Sequence, residues 1–238
     1  MWPFTRKYAL QPSGWFRDLT DWHCHILPGV DDGFRSMEDS LAALSFYADI
    51  GIREVWLTPH VMEDIPNTPE KLKARFGELC AVYKGPVKLH LAAEHMMDKL
   101  FQERFASGDV LPIGPRGDTL LVETSYFSPP MDMDGILRRI QRKGLRPLLA
   151  HPERYVYMGM NDYRRLHENG IDMQLNLMSL TGHYGPDARA KALRLLKEGF
   201  YSRVGTDLHR LRPFQHAIGL KCLTHQQIAL IPKYSEFQ

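Results

Sequence analysis

Short apolar, β-rich runs alternate with longer amphipathic stretches along most of this chain. Runs of four to eight such residues predict buried strands, and apolar positions repeating every three or four residues predict helices. Because the two kinds of segment alternate, the strands are expected to lie parallel, joined by right-handed crossovers. The predicted strands cover Leu19–Ile26, Glu54–Thr58, Val87–Ala93, Thr119–Glu123, Arg146–Ala150, Asp172–Leu177 and Tyr201–Gly205.

Helix boundaries are marked by capping residues. Ser36 and Asp39 resemble a capping box, and Gly51 suits the end of the helix that they begin. Thr68 followed by Pro69 predicts a second start. Further helices are expected over 98–105, 133–143, 161–169 and 186–198, several of them ended by glycine.

Seven strand–helix units in an unbroken series favour an α/β barrel over an open, doubly wound sheet, which remains the alternative. Residues 19–238 are predicted to form a single domain, preceded by an irregular arm at 1–18 that carries Pro3, Pro12 and Gly14.

Composition narrows the function classes. Thirty basic and 28 acidic residues among 238 give a net charge of +2, which does not suggest nucleic-acid binding. Three widely spaced cysteines fit a reducing compartment. No run approaches the roughly 20 apolar residues of a membrane helix, and the N-terminus lacks the apolar core of a secretory signal. A cytoplasmic protein without membrane insertion is therefore expected.

Imidazoles and carboxylates gather at the carboxyl ends of the predicted strands. Parallel α/β folds place their functional loops at this edge. The spacing of His23 and His25 puts both on one face of a strand, with Cys24 on the other. Nine ligands are enough for two or three ions, and a set without thiolate suits Mn, Fe or Zn. The candidates are His23, His25, Asp32, His60, Glu94, Glu123, His151, Asp207 and His209.

A structural role competes with ligation, because a single histidine in such a core is more often a hydrogen-bonded packing residue. Side chains of this kind at the same end of six of the seven runs favour a multinuclear site. Packing is the expected role of the six other histidines, His90, His95, His167, His183, His216 and His225.

Arginines follow two of the candidate ligands. Arg154 comes just after His151, and Arg210 and Arg212 follow His209. A guanidinium at this edge could hold a phosphate through two hydrogen bonds. For Arg154, pairing with a nearby carboxylate such as Glu153 is the alternative.

Four motifs at these positions resemble one family. They are the segment from His23 to Gly33 (HCHILPGVDDG), Thr58-Pro-His60, His151-Pro-Glu-Arg154 and Thr206-Asp-Leu-His209. Together they resemble the bacterial manganese-dependent tyrosine-protein phosphatases of the polymerase and histidinol phosphatase (PHP) superfamily, which belong to capsule and exopolysaccharide loci. The resemblance runs in order from about residue 19 to 213, although Val61-Met62 stands where the family often has a second histidine.

The resemblance implies a distorted seven-stranded (β/α) barrel with three Mn²⁺ ions, Fe or Zn being possible. It implies hydrolysis of phosphotyrosine, as on the tail of a bacterial tyrosine autokinase, by a hydroxide that bridges two ions. Arg154 would bind the substrate phosphate, and a second catalytic arginine of the family matches Arg212, or alternatively Arg210, only loosely. The implied ion sets are His23, His25, Glu94 and Asp207, then Glu94, Glu123 and His151, then Asp32, His60 and His209.

Two other functions remain open. The same chemistry could act on a small phosphomonoester such as histidinol phosphate, or the chain could be a catalytically silent metal-binding module that docks on a kinase tail. A cysteine-dependent phosphatase is not supported, because no cysteine is followed by arginine six positions later.

Overall fold

The computed structural model describes residues 6–233. These residues form nine strands, eight α-helices and three short 3-10 segments at Gln11–Ser13, Pro152–Arg154 and Leu177–Thr181. The strands are β1 (Leu19–Cys24), β2 (Ile52–Leu57), β3 (His60–Val61), β4 (Lys88–Leu91), β5 (Glu94–Met96), β6 (Thr119–Glu123), β7 (Arg146–Ala150), β8 (Asp172–Asn176) and β9 (Tyr201–Gly205). The helices are α1 (Met37–Ile50), α2 (Pro69–Val82), α3 (Lys99–Ser107), α4 (Met133–Arg142), α5 (Met160–Glu168), α6 (Gly185–Glu198), α7 (Leu211–Gly219) and α8 (His225–Leu230).

All strand pairs are parallel, in the orders β1-β2-β4 and β3-β5-β6-β7-β8-β9. Two strand positions are broken, since β3 continues the line of β2 and β5 continues that of β4. The Ala92 amide donates to the Leu57 carbonyl (2.9 Å) and the Glu94 amide to the Pro59 carbonyl (3.1 Å) across these breaks. Nine strands therefore occupy seven positions around the sheet.

The sheet closes between β9 and β1. The Asp207 amide donates to the His23 carbonyl (2.8 Å), and the His25 amide donates to the Leu208 carbonyl (3.1 Å). Beneath this junction lies the buried carboxylate of Asp21, which accepts from the Tyr47 hydroxyl and the Thr206 hydroxyl, both at 2.7 Å. The Thr206 amide also donates to it, at 2.8 Å. The expected distorted barrel is thus confirmed.

Successive side chains of the central strands β6 and β7 point to opposite sides of the sheet and pack in two different apolar clusters. Leu120, Val122 and Leu149 pack in the large core beneath the helices, whereas Leu121 and Leu148 belong to a separate, smaller cluster. Glu123 lies two residues after Leu121 and so projects to the same side of the sheet as that smaller cluster. This alternation places a carboxylate at the carboxyl end of β6 without exposing it.

Several predicted boundaries are confirmed and others are wrong. The Ser36 hydroxyl caps α1 by accepting from the Asp39 amide (3.1 Å), and the Thr68 hydroxyl caps α2. The run Val87–Ala93 is not one strand: β4 ends at Leu91, and β5 begins at Glu94 after a bend. The first strand ends at Cys24 instead of Ile26, and α7 and α8 follow the last strand without having been predicted.

Of the predicted arm at 1–18, residues 1–5 lie outside the described residues. The rest is anchored, since Tyr8 and Leu223 exchange two backbone hydrogen bonds and Leu10 and Phe16 are buried. Within residues 6–233, no helix has both the length and the apolar character needed to cross a membrane.

Candidate metal centre

The carboxyl ends of the strands bring the predicted ligands to one place. His23 lies in β1 and His25 just beyond it, while His60 begins β3 and Glu94 begins β5. Glu123 ends β6, and the others follow β1, β7 and β9. Eight of the nine are buried or half-buried, and Asp32 is exposed at the rim. Each of the nine has a ligand atom within 4 Å of another member's: His23, His25, Asp32, His60, Glu94, Glu123, His151, Asp207 and His209.

Glu94 lies at the centre of this group. Its Oε2 is 3.1 Å from His23 Nε2, 3.3 Å from His25 Nε2 and 3.0 Å from His60 Nδ1. Its Oε1 is 2.9 Å from His151 Nε2. One fully buried carboxylate therefore faces four imidazoles, two from the end of β1 and one each from β3 and the end of β7.

Three further carboxylates surround this centre. Glu123 Oε1 lies 3.0 Å from His60 Nδ1. Asp207 Oδ1 lies 3.4 Å from both His25 Nε2 and His209 Nδ1. At the rim, Asp32 Oδ1 is 3.3 Å from His209 Nε2 and 3.6 Å from His60 Nε2.

The donor set fits divalent cations. Among the described residues, the buried atoms His60 Nδ1, Glu94 Oε2, Glu123 Oε1 and His151 Nδ1 make no hydrogen bond, although charged neighbours lie close. Leaving buried polar atoms unpaired is costly, and cations would satisfy the carboxylate oxygens. Imidazole and carboxylate without thiolate suit Mn, Fe or Zn. Four groups have ligand atoms near enough to share an ion: His25 with Asp32, His60 and His209; His23 with His25 and Asp207; His23 with Glu94 and His151; and His60 with Glu94 and Glu123.

Charges within the centre strongly perturb its protonation. Burial alone would lower the pKa of His60, but the carboxylates of Glu94 and Glu123 raise it to about 10. Burial would raise the pKa of Glu94, but the imidazoles of His23 and His60 hold it well below its usual range. Without cations, protons on imidazole therefore balance the carboxylates, so cation binding must displace protons.

A second layer of side chains orients the predicted ligands. Asp31 Oδ2 lies 2.7 Å from His25 Nδ1 and accepts from the His60 amide at 3.0 Å. Gln174 Oε1 lies 2.9 Å from His23 Nδ1. These contacts leave the Nε2 atoms of His23 and His25 directed to the centre. Sequence reasoning missed both partners: Asp31 stood inside the opening motif, whereas Gln174 carried no local signal.

Arg154 extends over the mouth of the centre. Its Nη1 donates to Asp207 Oδ2 at 2.7 Å, so the guanidinium pairs with a carboxylate, as the alternative expected, but this carboxylate belongs to Asp207 and not to Glu153. Glu153 instead accepts from the Asn176 amide at 3.0 Å. The Arg154 guanidinium lies between the rings of Tyr126 and Tyr184, 4.3 and 4.1 Å from their centroids. Such cation–π contacts hold the guanidinium in place.

A cavity of about 420 Å³ opens beside this guanidinium. Arg154 and Arg210 both line it, together with Tyr126 and Tyr184, which the sequence did not single out. His183, for which only packing was expected, lies on its wall as well. Arg212 is exposed on the first turn of α7 and lines a neighbouring depression instead.

Two of the predicted ligands have unusual backbone conformations. His151 has φ of 34° and Asp207 has φ of 52°, both in the left-handed region that L-residues rarely adopt. His151 follows β7 directly, and Asp207 lies two residues after the end of β9. From these turns both side chains reach the centre: His151 Nε2 lies 2.9 Å from Glu94 Oε1, and Asp207 Oδ1 lies 3.4 Å from His25 Nε2.

The chain is similar to known proteins over most of its length. Residues 19–223 match the sequence model of a family described as capsular polysaccharide synthesis, CpsB/CapC. The tyrosine-protein phosphatase YwqE of Bacillus subtilis (strain 168) is 28% identical over 202 residues, which cover 82% of this chain and 78% of that protein. The putative tyrosine-protein phosphatase CapC of Staphylococcus aureus is 25% identical over 204 residues, covering 82% and 80%.

Solved structures agree with the fold. A chain from crystal structures of YwqE from Bacillus subtilis and CpsB from Streptococcus pneumoniae, described as unique metal-dependent tyrosine phosphatases, superposes with a TM-score of 0.75 at 26% identity. The match covers 82% of this chain and 81% of that one. The lactonase Lmo2620 from Listeria monocytogenes, at 14% identity and a TM-score of 0.51, shares the fold alone; that match covers 87% of this chain and 84% of the lactonase.

Proposed function

The chain belongs to the CpsB/CapC family of capsular polysaccharide synthesis, and from this premise we propose that it is a metal-dependent protein-tyrosine phosphatase. The observation that carries the proposal is the environment of Glu94, whose carboxylate lies within 3.3 Å of four imidazoles. A buried set of this kind, beneath a cavity that holds a fixed guanidinium, suits a doubly charged phosphoryl group.

The nine predicted ligands are proposed to hold three ions, with Mn²⁺ as the native metal. Their contacts support the sets that the family resemblance implies, with His25 also close to the rim group. Bound cations supply Lewis acidity, which neutralises phosphoryl oxygens and lowers the pKa of water. The sets are His23, His25, Glu94 and Asp207; Glu94, Glu123 and His151; and Asp32, His60 and His209.

The chain's own side chains would bind and orient the substrate. Asp207, Tyr126 and Tyr184 fix the Arg154 guanidinium. Within residues 6–233 its side chain donates to Asp207 alone, so its other N–H groups could donate to phosphoryl oxygens. The two tyrosine rings also form apolar walls against which a phenyl group can pack. Because a phenol with a pKa of about 10 leaves more readily than an alkoxide, strong general-acid help is less necessary.

The substrate that we propose is a phosphotyrosine on the tail of a bacterial tyrosine autokinase, and the proposed compartment is the cytoplasm. Relatives described as tyrosine-protein phosphatases support phosphotyrosine as the substrate group. All three cysteines are free, as is typical of a reducing compartment.

The test compares chelator-treated protein with protein reloaded with Mn²⁺. Phosphotyrosine peptides and para-nitrophenyl phosphate should be turned over only after reloading. His23→Ala should abolish this turnover, whereas the exposed His216→Ala should not. Undiminished turnover after complete chelation would reject the metal requirement. If histidinol phosphate were hydrolysed far better than the peptides, it would replace phosphotyrosine as the proposed substrate.

A further inference from the structure

A depression beside the metal centre collects three arginines. Its volume is about 800 Å³, and Arg35, Arg210 and Arg212 line it above apolar groups such as Phe34 and Leu211. His209, Arg210 and Pro213 line both this depression and the cavity that contains Arg154. The two spaces are therefore neighbours on one continuous surface.

The positive charge of the arginine depression is not balanced locally. Arg35 and Arg212 are exposed, and in the described part of the chain no carboxylate lies within ion-pair distance of either. The Nη1 of Arg210 donates to three backbone carbonyls, those of Asp32, Gly33 and His209, at 2.6 to 2.7 Å. These neutral oxygens orient the guanidinium without cancelling its charge.

One carboxylate, that of Asp39, also lines the depression. It accepts from the Ser36 hydroxyl at 2.8 Å at the start of α1, so it is already engaged. Three guanidiniums against one occupied carboxylate leave a local excess of positive charge. The chain as a whole is nearly balanced, with 30 basic and 28 acidic residues, so this excess is a property of the site's surroundings.

We propose that the arginine depression is a second anion subsite, which binds an acidic group carried by the substrate polypeptide close to its phosphotyrosine. This inference rests on the proposed function: because His209, Arg210 and Pro213 line both spaces, the chain next to a phosphotyrosine at Arg154 can reach the depression across Arg210. The anion is a carboxylate or a second phosphate, both of which guanidinium groups bind in the same geometry. The apolar floor would pack against the intervening side chains.

This assignment gives Arg212 a role different from the catalytic one that the family resemblance implies. Its side chain lines the depression and not the cavity with Arg154. Arg35 and Arg212 then select among phosphotyrosine sequences, while Arg154 contacts the phosphate that is transferred.

Matched peptides test the subsite on the Mn²⁺-loaded protein. One set carries Glu or Asp on either side of phosphotyrosine, a second carries Gln or Asn there, and a third carries a second phosphotyrosine. We expect the acidic peptides to exceed the neutral ones in kcat/KM by about tenfold at low salt, the effect of roughly one to two exposed charge pairs. The advantage should shrink as salt rises. The third set identifies carboxylate or phosphate as the better anion.

Variants localise the effect. Arg35→Gln and Arg212→Gln should each reduce the acidic-to-neutral ratio about three- to fivefold. Arg138→Gln is the matched control, since Arg138 is an exposed arginine of α4 outside both spaces. Equal kcat/KM for acidic and neutral peptides in the wild type would overturn the proposal. So would a ratio that Arg35→Gln leaves unchanged, or one that Arg138→Gln lowers as much.

Measuring peptide binding without turnover tests the subsite independently of the proposed phosphatase activity. Peptides with a non-hydrolysable phosphonate in place of the phosphate give dissociation constants without turnover. Failure of the loaded wild type to hydrolyse any phosphotyrosine peptide would reject the proposed function. The ratio of dissociation constants for acidic and neutral phosphonate peptides would still decide the subsite, and a ratio near one would overturn it.

Discussion

Replacing Tyr47 by phenylalanine tests how the first and last strands are held together. Tyr47 is fully buried in α1, and its hydroxyl donates to Asp21 Oδ2 at 2.7 Å. The same carboxylate accepts from the hydroxyl and amide of Thr206, just after β9. Tyr47→Phe keeps the packed ring and removes one donor to the group that connects the two strands.

The expected loss follows from the bonds that remain. A hydrogen bond to a charged group is worth about 1.5–3 kcal/mol. Asp21 keeps the two Thr206 donors and the His23 amide at 3.2 Å, so the lower part of this range applies, about 1.5–2 kcal/mol. In a chain of this length each kcal/mol lowers the Tm by about 2–4 °C. Tyr47→Phe should therefore lower the Tm by about 3–8 °C.

Thermal unfolding followed by circular dichroism measures this change. Chelator-treated protein is used because bound cations would add their own stabilisation. Tyr83→Phe is the control: that side chain is half-buried, and its hydroxyl accepts from the neutral Val87 amide at 3.1 Å. A neutral bond of this kind is worth about 0.5–1.5 kcal/mol at most. If Tyr47→Phe melts no lower than Tyr83→Phe, the hydrogen bond from Tyr47 to Asp21 does not help to hold β1 and β9 together.

Three further predictions concern the centre and its surroundings. Arg154→Met should lower kcat/KM for para-nitrophenyl phosphate about 100-fold, through loss of charge-assisted hydrogen bonds to phosphate; unchanged kinetics would contradict its phosphate-binding role. Glu94→Gln should lose at least one equivalent of metal by elemental analysis, whereas Cys222→Ser should keep the full content, and equal contents would argue against Glu94 as a metal ligand. Burial lowers the pKa of His95 to about 4, so the unfolded chain takes up the proton first and stability falls as pH drops from 6.5 toward 4. His95→Gln should remove about 2 kcal/mol of the loss between pH 7.5 and pH 5, measured by urea unfolding of chelated protein; parallel pH profiles would show that this imidazole is not responsible.

The convergence of the ligands was predictable because it depends on one rule of topology. Parallel strands end at the same edge, so residues such as Glu123 and His151 must meet wherever their strands are neighbours. Strands such as Thr119–Glu123 and Tyr201–Gly205 are short apolar runs bounded by polar residues, and their predicted limits agree with the structure.

Other features depend on contacts that no local pattern reports. The strand breaks between Leu91 and Glu94, although the apolar run Val87–Ala93 shows no local sign of a break. Gln174 orients His23 from 151 residues away, inside a strand whose alternation looks ordinary. The side on which Arg212 lies depends on where α7 begins, which the sequence did not predict at all.

The left-handed backbone at His151 and Asp207 has a consequence for how this chain would change if its chemistry were no longer needed. Each such conformation costs an L-residue about 1 kcal/mol or more, and glycine would relieve it. If selection acted on folding alone, substitutions that relieve these two conformations would be favoured, and the substituted chain would have a larger free energy of unfolding. We therefore expect an inactive descendant to carry glycine or asparagine at position 151 or 207 and to melt at a higher temperature than its active ancestor.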